Sequence, residues 1–428
     1  MRILGVIVAI VIVGLVFAGA VLLWPAQPLR TVTAAAQSPQ LIAQGRYVAT
    51  AADCIACHTV PGGEPFGGGR AFTLPFGTIY SPNITPDREH GIGTWTDAQF
   101  VRAIKAGVGH NGEELYPALP YTSYHRMSDA DALAVKAYLF SLPPAATPSR
   151  PNNLAFPFNQ RPLMRFWKLL FMPRHEFAAD PRQSAQWNRG AYLVTAVAHC
   201  GECHTPRNLM YGVDNGRALA GETVQGWTAW NITSDPHHGL GGRGPDAVVA
   251  YLHYGYAPGI GAAGGPMKEA IDYSLSQLST ADLQAIAVYL ASVRPQASGP
   301  LEGVVPQAVV NSSPAWPSAG DPHTNAIGKR VFQGACAGCH AWNGKGQVTP
   351  LADLAGLRSV NHPKGLNVMQ TILHGNSVSA PQGRAAMPAF AAGYSDAEIA
   401  ALTNYVVGRF GGQNGSARPA DVAKARMQ

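Results

Sequence analysis

The sequence predicts an all-α protein: three small helical domains in tandem, joined by long loops and preceded by an apolar helix suited to a membrane. Three observations carry this expectation. One short cysteine and histidine string recurs three times, a helix-start signature followed by a tyrosine recurs three times behind it, and the chain opens on an uncharged apolar run. The length, 428 residues, suits about three domains of roughly 100 to 150 residues. Charged residues are 13% of the chain, against about 25% in an average globular protein. With 47 glycines and 34 prolines, this favours short helices and long ordered loops. The divisions expected are 1–36 for the membrane segment and its linker, 37–142, 182–293 and 322–412 for the domains, 143–181 and 294–321 for connectors, and 413–428 for a loose tail.

The opening segment has Arg2 and then residues 3–24 without a charge, long enough to cross a bilayer as a helix. An ordinary signal peptide has a shorter apolar stretch with a small-residue cleavage site close behind. Here Ala34-Ala35-Ala36 lies a dozen residues downstream and Ala18-Gly19-Ala20 lies inside the run. The reading leans to a retained anchor over a cleaved signal; in both cases the rest of the chain is exported.

The six cysteines then decide the class. They stand as Cys54-Ile55-Ala56-Cys57-His58, Cys200-Gly201-Glu202-Cys203-His204 and Cys336-Ala337-Gly338-Cys339-His340, and none is left over. At a helix start, positions i and i+3 point the same way, so two thiols can add to the two vinyl groups of one haem while the next histidine reaches its iron. A structural zinc wants four ligands, and each string offers three in a cramped row. A thioredoxin-like dithiol does not call for the histidine. The expected cofactor is therefore haem c, three copies, bound through Cys54, Cys57, Cys200, Cys203, Cys336 and Cys339, with His58, His204 and His340 on the irons.

Each domain closes as it opens. Ser128-x-x-Asp131, Ser279-x-x-Asp282 and Ser395-x-x-Glu398 read as capping boxes before the apolar segments 132–139, 283–290 and 399–406, with Tyr138, Tyr289 and Tyr405 ten residues after each serine. Helices expected over 41–52, 190–199 and 326–335 lead into the three motifs, and Tyr47 and Tyr192 match in position. The order of helix, haem motif, loop, second ligand and capped helix resembles the class I cytochrome c fold.

Class I cytochromes usually take methionine as the sixth ligand, which raises the potential and closes the iron. Met387, in Ala386-Met387-Pro388, and Met267, in Gly265-Pro266-Met267, stand in that slot. In the first domain the aligned position is Leu119, which cannot bind iron. Met127 is the nearest substitute, with His125, His110 or a vacant site as alternatives.

Further markers are Ser81-Pro82-Asn83-Ile84-Thr85-Pro86-Asp87, the segment 116–124, Gly226-Trp227-Thr228-Ala229-Trp230-Asn231-Ile232-Thr233-Ser234-Asp235 and Gly265-Pro266-Met267. With the haem motifs they resemble, over about residues 41–412, the three-haem cytochrome subunits of membrane-bound alcohol, aldehyde, gluconate and fructose dehydrogenases. The resemblance implies a large periplasmic catalytic subunit of quinone, flavin or molybdenum type, a small accessory subunit, ubiquinone as acceptor, and a place on the periplasmic side of a bacterial inner membrane. Leu119 departs from that family's more usual methionine.

Asn-Ile-Thr-x-Asp occurs twice, from Asn83 to Asp87 and from Asn231 to Asp235, and reads either as a polar loop beside the haem propionates or as Asx-type turns. The third copy lacks the motif; Pro350 stands about ten residues after His340, where a backbone carbonyl would orient the ring. The connector 143–181 mixes basic, aromatic and apolar residues, which suits a membrane surface, a docking site for the catalytic subunit, or a helix packed between domains. The net charge of +6 comes without a basic run or stripe, so no nucleic acid is expected; six haem propionates would bring it near neutral. No nucleophile triad, dinucleotide turn or other metal motif is present. The expected role is an outer-sphere electron relay and not an enzyme on its own; the alternatives are a free or oxidase-linked carrier, or a haem enzyme if the first iron is open.

Overall fold

The computed structural model describes residues 37–298 and 325–427, with isolated positions before residue 33. Most of the apolar run 3–24, and the second connector beyond residue 298, lie outside the described residues. Among the described residues no helix is long and apolar enough to cross a membrane. The chain folds as two compact units: Met1–Pro181 with Tyr192–Glu202 and Asn208–Gly212, and the remainder to Gln428.

In the first unit α1 is Pro39–Ala51, started by Ser38, whose side chain accepts from Leu41 N, with proline at the first helical position. α2, Asp97–Ala106, opens on a closed Thr96/Gln99 capping box and ends at Gly107 in the left-handed region. α3 is Asp129–Leu139, capped by Ser128. A three-stranded antiparallel sheet sits beside them: β1 Ala71–Leu74, β2 Gly77–Tyr80 and β3 Asn153–Leu154.

The connector carries α4, Met164–Phe171, which buries Trp167. Glu114, 6% exposed, accepts from Arg165 Nε at 3.0 Å and Lys168 Nζ at 2.5 Å, fastening α4 to the loop after α2. Burial pushes the Lys168 ammonium below its ordinary pKa, opposed by that pairing. Removing one partner of a buried ion group costs about 3 kcal/mol or more. Glu114→Leu is therefore expected to lower stability by about that amount and to open the connector to limited proteolysis; full protease resistance would argue against α4 being held this way.

In the second unit α5, Ala185–Tyr192, contributes its residues up to Ala191; the π-helical turn that continues it, Leu193–Val197, belongs to the first unit. There follow α6 Pro245–Tyr254, α7 Gly265–Tyr273 and α8 Thr280–Leu290, then α9 Ala326–Ala335, α10 Leu366–His374, α11 Asp396–Gly411 and α12 Pro419–Ala425. Hairpins β4 Glu222–Val224 with β5 Trp227–Ala229, β6 Tyr256–Ala257 with β7 Gly261–Ala262, and β8 Asn376–Ala380 with β9 Gly383–Met387 stand between helices. Tyr256, Leu351 and Val378 form a small apolar cluster, and Tyr256 donates its hydroxyl to Pro350 O at 2.9 Å. These contacts join the segments around the second and third motifs.

A helix crossing occurs three times, in α1 with α3, α5 with α8 and α9 with α11. Its key is a glycine. A methyl group on Gly45 would stand 1.8 Å from Ala134 O, on Gly190 1.9 Å from Ala285 O, and on Gly328 2.2 Å from Ala401 O. The next neighbours are Cβ of Tyr138, Tyr289 and Tyr405, the same tyrosines that mark the repeat. From glycine to first cysteine the chain runs nine, ten and eight residues; in the second copy a π-turn, which adds one residue to a helical turn, lies within this stretch.

The capped starts differ from the expectation. Ser128, Ser279 and Ser395 all cap their helices, but only Ser395 and Glu398 close a reciprocal box. Aspartate is one methylene shorter. Asp131 instead accepts from Gln44 Nε2 at 2.9 Å, and Asp282 takes Arg189 through two bonds of 2.8 and 2.7 Å. Gln44 and Arg189 immediately precede the crossing glycines, so these carboxylates lock the crossing.

The tail, expected to be loose, is a packed helix. Val422 is fully buried in the third core, and Arg426 binds Asp396 at 2.6 Å together with the carbonyls of Ala391 and Tyr394. Val422 and Ala425, three apart, give α12 one apolar stripe to bury.

Candidate functional site

Each motif sits on a short helical turn: Cys54–His58, Gly201–His204 and Ala337–His340. Each histidine is pinned by one ring nitrogen to a backbone carbonyl, His58 Nδ1 to Pro82 O at 2.8 Å, His204 Nδ1 to Trp230 O at 2.6 Å and His340 Nδ1 to Ala352 O at 2.6 Å. A carbonyl can only accept, so Nδ1 carries the proton and Nε2 is left with a lone pair for a metal. Burial pushes all three imidazoles below their ordinary pKa, against the hydrogen bonds that raise it. They stand neutral, as a metal ligand must.

The third carbonyl is not that of Pro350. Pro350 opens a helical turn, Pro350–Ala352, and its carbonyl accepts from Asp353 N and from Tyr256. Two residues on, Ala352 has its carbonyl turned to the ring.

The thiols argue against a redox dithiol, whose attacking cysteine is acidified. Burial pushes Cys54 and Cys336 up to about 12, and none of the six cysteines is in a disulfide. Among the described residues no cluster of His, Cys, Asp and Glu could hold a free metal ion.

The third site is the most complete. A cavity is lined by Cys336, His340 and Met387, with apolar walls from Phe332, Val368, Ile372, Leu402 and Val406 among others. Met387 arrives at the end of β9, paired across the hairpin with Asn376. Residues distant in the chain thus bring a thioether, an imidazole and a thiol to one apolar cavity, the donor set for a haem bound through cysteine with histidine and methionine on the iron.

In the second copy His204 and Met267 belong to the same unit, and Met267 lies half-buried in the first turn of α7. In the first copy Met127 is 2% exposed and follows the turn Tyr121–Tyr124, its amide donating to Tyr124 O at 2.9 Å. Leu119 is half-buried. His125 has Nδ1 3.1 Å from Lys105 O, and His110 lies against the Trp95 ring, centroids 5.6 Å apart.

The Asn-Ile-Thr loops are Asx turns. Asn83 Oδ1 accepts from Thr85 N and Oγ1 while its Nδ2 donates to Ala145 O and Thr147 O. Asn231 repeats this with Thr233, Gln296 O and Ser298 O. Both amides are spent on backbone, pulling the strand that leaves the terminal helix back over the loop that holds the histidine. The propionate role does not fit side chains so fully engaged.

Sequence reading missed the crossing glycines, whose signal was a glycine eight to ten residues before every first cysteine. It also missed Arg358, an isolated arginine with no motif around it.

The profile of the family described as "Cytochrome c" matches residues 42–143 and 326–409, the first and third copies. The chain is 37% identical over 402 residues to the fructose dehydrogenase cytochrome subunit of Gluconobacter japonicus, covering 90% of this chain and 82% of that one. It is 34% identical over 402 residues to the gluconate 2-dehydrogenase cytochrome c subunit of Pantoea cypripedii, covering 90% and 89%. To a nicotinate dehydrogenase subunit of Pseudomonas putida it is 41% identical over 383 residues, which are 87% of this chain but only 30% of that protein. Holding this haem-binding constellation, and alike to such subunits over nearly its whole length, the chain belongs to the cytochrome c subunits of dehydrogenases and carries covalently bound haem c.

Proposed function

We propose that this chain is a three-haem relay that takes electrons from a large dehydrogenase subunit on the periplasmic side of the inner membrane and passes them to ubiquinone. The observation that carries it is the cavity in which Cys336, His340 and Met387 converge: His340 and Met387 would both hold the iron of a haem bound there, leaving no place for a substrate, so only electrons would pass. Bound haem c supplies one-electron chemistry at its iron. The protein does the rest.

In this reading Cys54 and Cys57, Cys200 and Cys203, and Cys336 and Cys339 anchor the three groups, and His58, His204 and His340 ligate them. Met387 and Met267 complete the third and second, and Met127 the first. The three repeats correspond to domains over 37–142, 182–293 and 322–412. The crossing glycines, one in each copy, support this division, and the Asx turns repeat in the first two. A relay needs neighbouring centres, and His199, which precedes the second motif, has Nε2 3.2 Å from the carbonyl of Ala52, two residues before Cys54; Tyr124 donates to the same carbonyl at 3.1 Å.

A membrane-facing side is supported by α4. Leu169 and Leu170 are 64% and 63% exposed, beside Arg165, whose Nη1 donates to Leu22 O at 2.5 Å in the apolar opening run. In this reading that run is the anchor.

Gentle detergent extraction of the native membrane protein, followed by mass spectrometry of chains recovered in equal amounts, tests the function. A large dehydrogenase subunit is expected, and its cofactor names the substrate class. A cytochrome that emerges alone would favour a free or oxidase-linked carrier.

Met127→Leu tests the first ligand. One haem of three is expected to lose its methionine-to-iron absorption and to bind carbon monoxide when reduced; spectra unchanged at every haem would remove Met127 from the iron.

A further inference from the structure

We propose that Arg358 is a positioning residue for electron transfer, a buried cation on a turn that lines the third haem cavity, which raises the potential of the second haem. This rests on the reading that His204 and His340 bind iron.

Arg358 opens a helical turn, Arg358–Val360, whose next two residues, Ser359 and Val360, line the cavity holding Cys336, His340 and Met387. Its own side chain points the other way. Only 3% exposed, it reaches into the loop that orients His204. Its Nη2 donates to Asn231 O at 2.9 Å and also to His238 O, and its guanidinium lies over the Trp230 ring, 5.3 Å from the centroid.

Trp230 is the residue whose carbonyl holds His204 Nδ1 at 2.6 Å. One turn of chain therefore touches both sites: backbone and small side chains on the third, a fixed positive charge one residue removed from the hydrogen bond on the second. All these groups lie in one compact unit.

Oxidising the second haem removes one electron and leaves one more positive charge in its site. A guanidinium always protonated and shielded from water disfavours that added charge, because interactions in a poorly solvated interior are far stronger than in bulk water.

A tandem relay gains from this. Three sites of one fold would otherwise have similar potentials, and an arginine carried by the third repeat raises one of them without altering its ligands.

The experiment is an equilibrium redox titration of the intact protein followed by electron paramagnetic resonance. Met267→His and Met387→His label the signals of the second and third haems. In Arg358→Gln the second haem alone is expected to fall, changing its electron occupancy relative to the third by about tenfold, equivalent to 59 mV for a one-electron couple. Arg358→Lys, which keeps charge and loses the planar fork, is expected to restore more than half of the shift. Arg358→Met is a second neutral variant for use where glutamine disturbs the turn, and is expected to behave like it.

No movement in either neutral variant, or an equal fall at all three haems, overturns the proposal. So does a lysine variant that falls as far as glutamine, since packing and not charge would then be at work. If the two labelling variants move no signal, the ligand reading has failed; a single haem falling in Arg358→Gln still separates that failure from this one.

Discussion

Met387→Ala is expected to convert the third haem from a closed centre into an open one. The methionine-to-iron absorption of one haem should disappear, the reduced protein should bind carbon monoxide at one site in three, and the potential of that haem should fall, because a thioether ligand favours the ferrous state. Met387 lines the same cavity as Cys336 and His340 and is only partly buried where it packs against the third core. Truncation therefore costs no more than about 2 kcal/mol, the low end for losing a buried methionine, and the protein should stay folded. Met387→His separates ligation from packing: it should refuse carbon monoxide, as the parent does, yet titrate at lower potential. A Met387→Ala protein that binds no carbon monoxide at any site would sink the assignment.

The second large effect is expected at the helix crossings. In Gly328→Val the new Cβ would stand 2.2 Å from Ala401 O, and the atom it meets is backbone of α11, which cannot swing aside. The helices must separate and disturb Phe332 and Tyr405, which pack with centroids 5.3 Å apart and are both fully buried. Overpacking of this kind costs about 3 kcal/mol or more, a large share of the roughly 5 to 15 kcal/mol that holds a domain together. Gly190→Val and Gly45→Val should behave alike.

The control lies in the same helix. Gly334 has nothing within 4 Å of where its Cβ would be, so Gly334→Ala should stabilise the protein by up to about 1 kcal/mol through helix propensity. Denaturation followed at the haem absorbance reads both variants. A Gly328→Val protein as stable as Gly334→Ala would show that the crossing has room to spare.

Several features were legible because they depend on spacing along one stretch of chain. The cysteine and histidine motifs need residues three and four apart on a helix turn, and the serine caps act on an amide three residues ahead. Helices at Ala326–Ala335 and Asp129–Leu139 accordingly stand close to where periodicity expected them. Features that depend on a partner far along the chain were misjudged. Asp131 and Asp282 left their capping boxes for Gln44 and Arg189, 87 and 93 residues away. The histidine of the third copy chose Ala352 over Pro350 because Tyr256 and the turn itself had taken the earlier carbonyl.

By itself the sequence determined the local signature: paired cysteines each followed by a histidine, as covalently bound haem c calls for, and a thrice-repeated helical frame, because attachment motifs and helix caps are local and each lies within a few residues. The tertiary structure alone decided what surrounds that chemistry. It set the glycine contacts that let the helices cross, the closing of Met387 over the third cavity, the spending of the Asn83 and Asn231 amides on backbone, and the passage of Arg358 from one repeat into the histidine loop of another. Each is a meeting of residues distant in sequence, and burial and close packing choose such meetings only once the whole chain has folded.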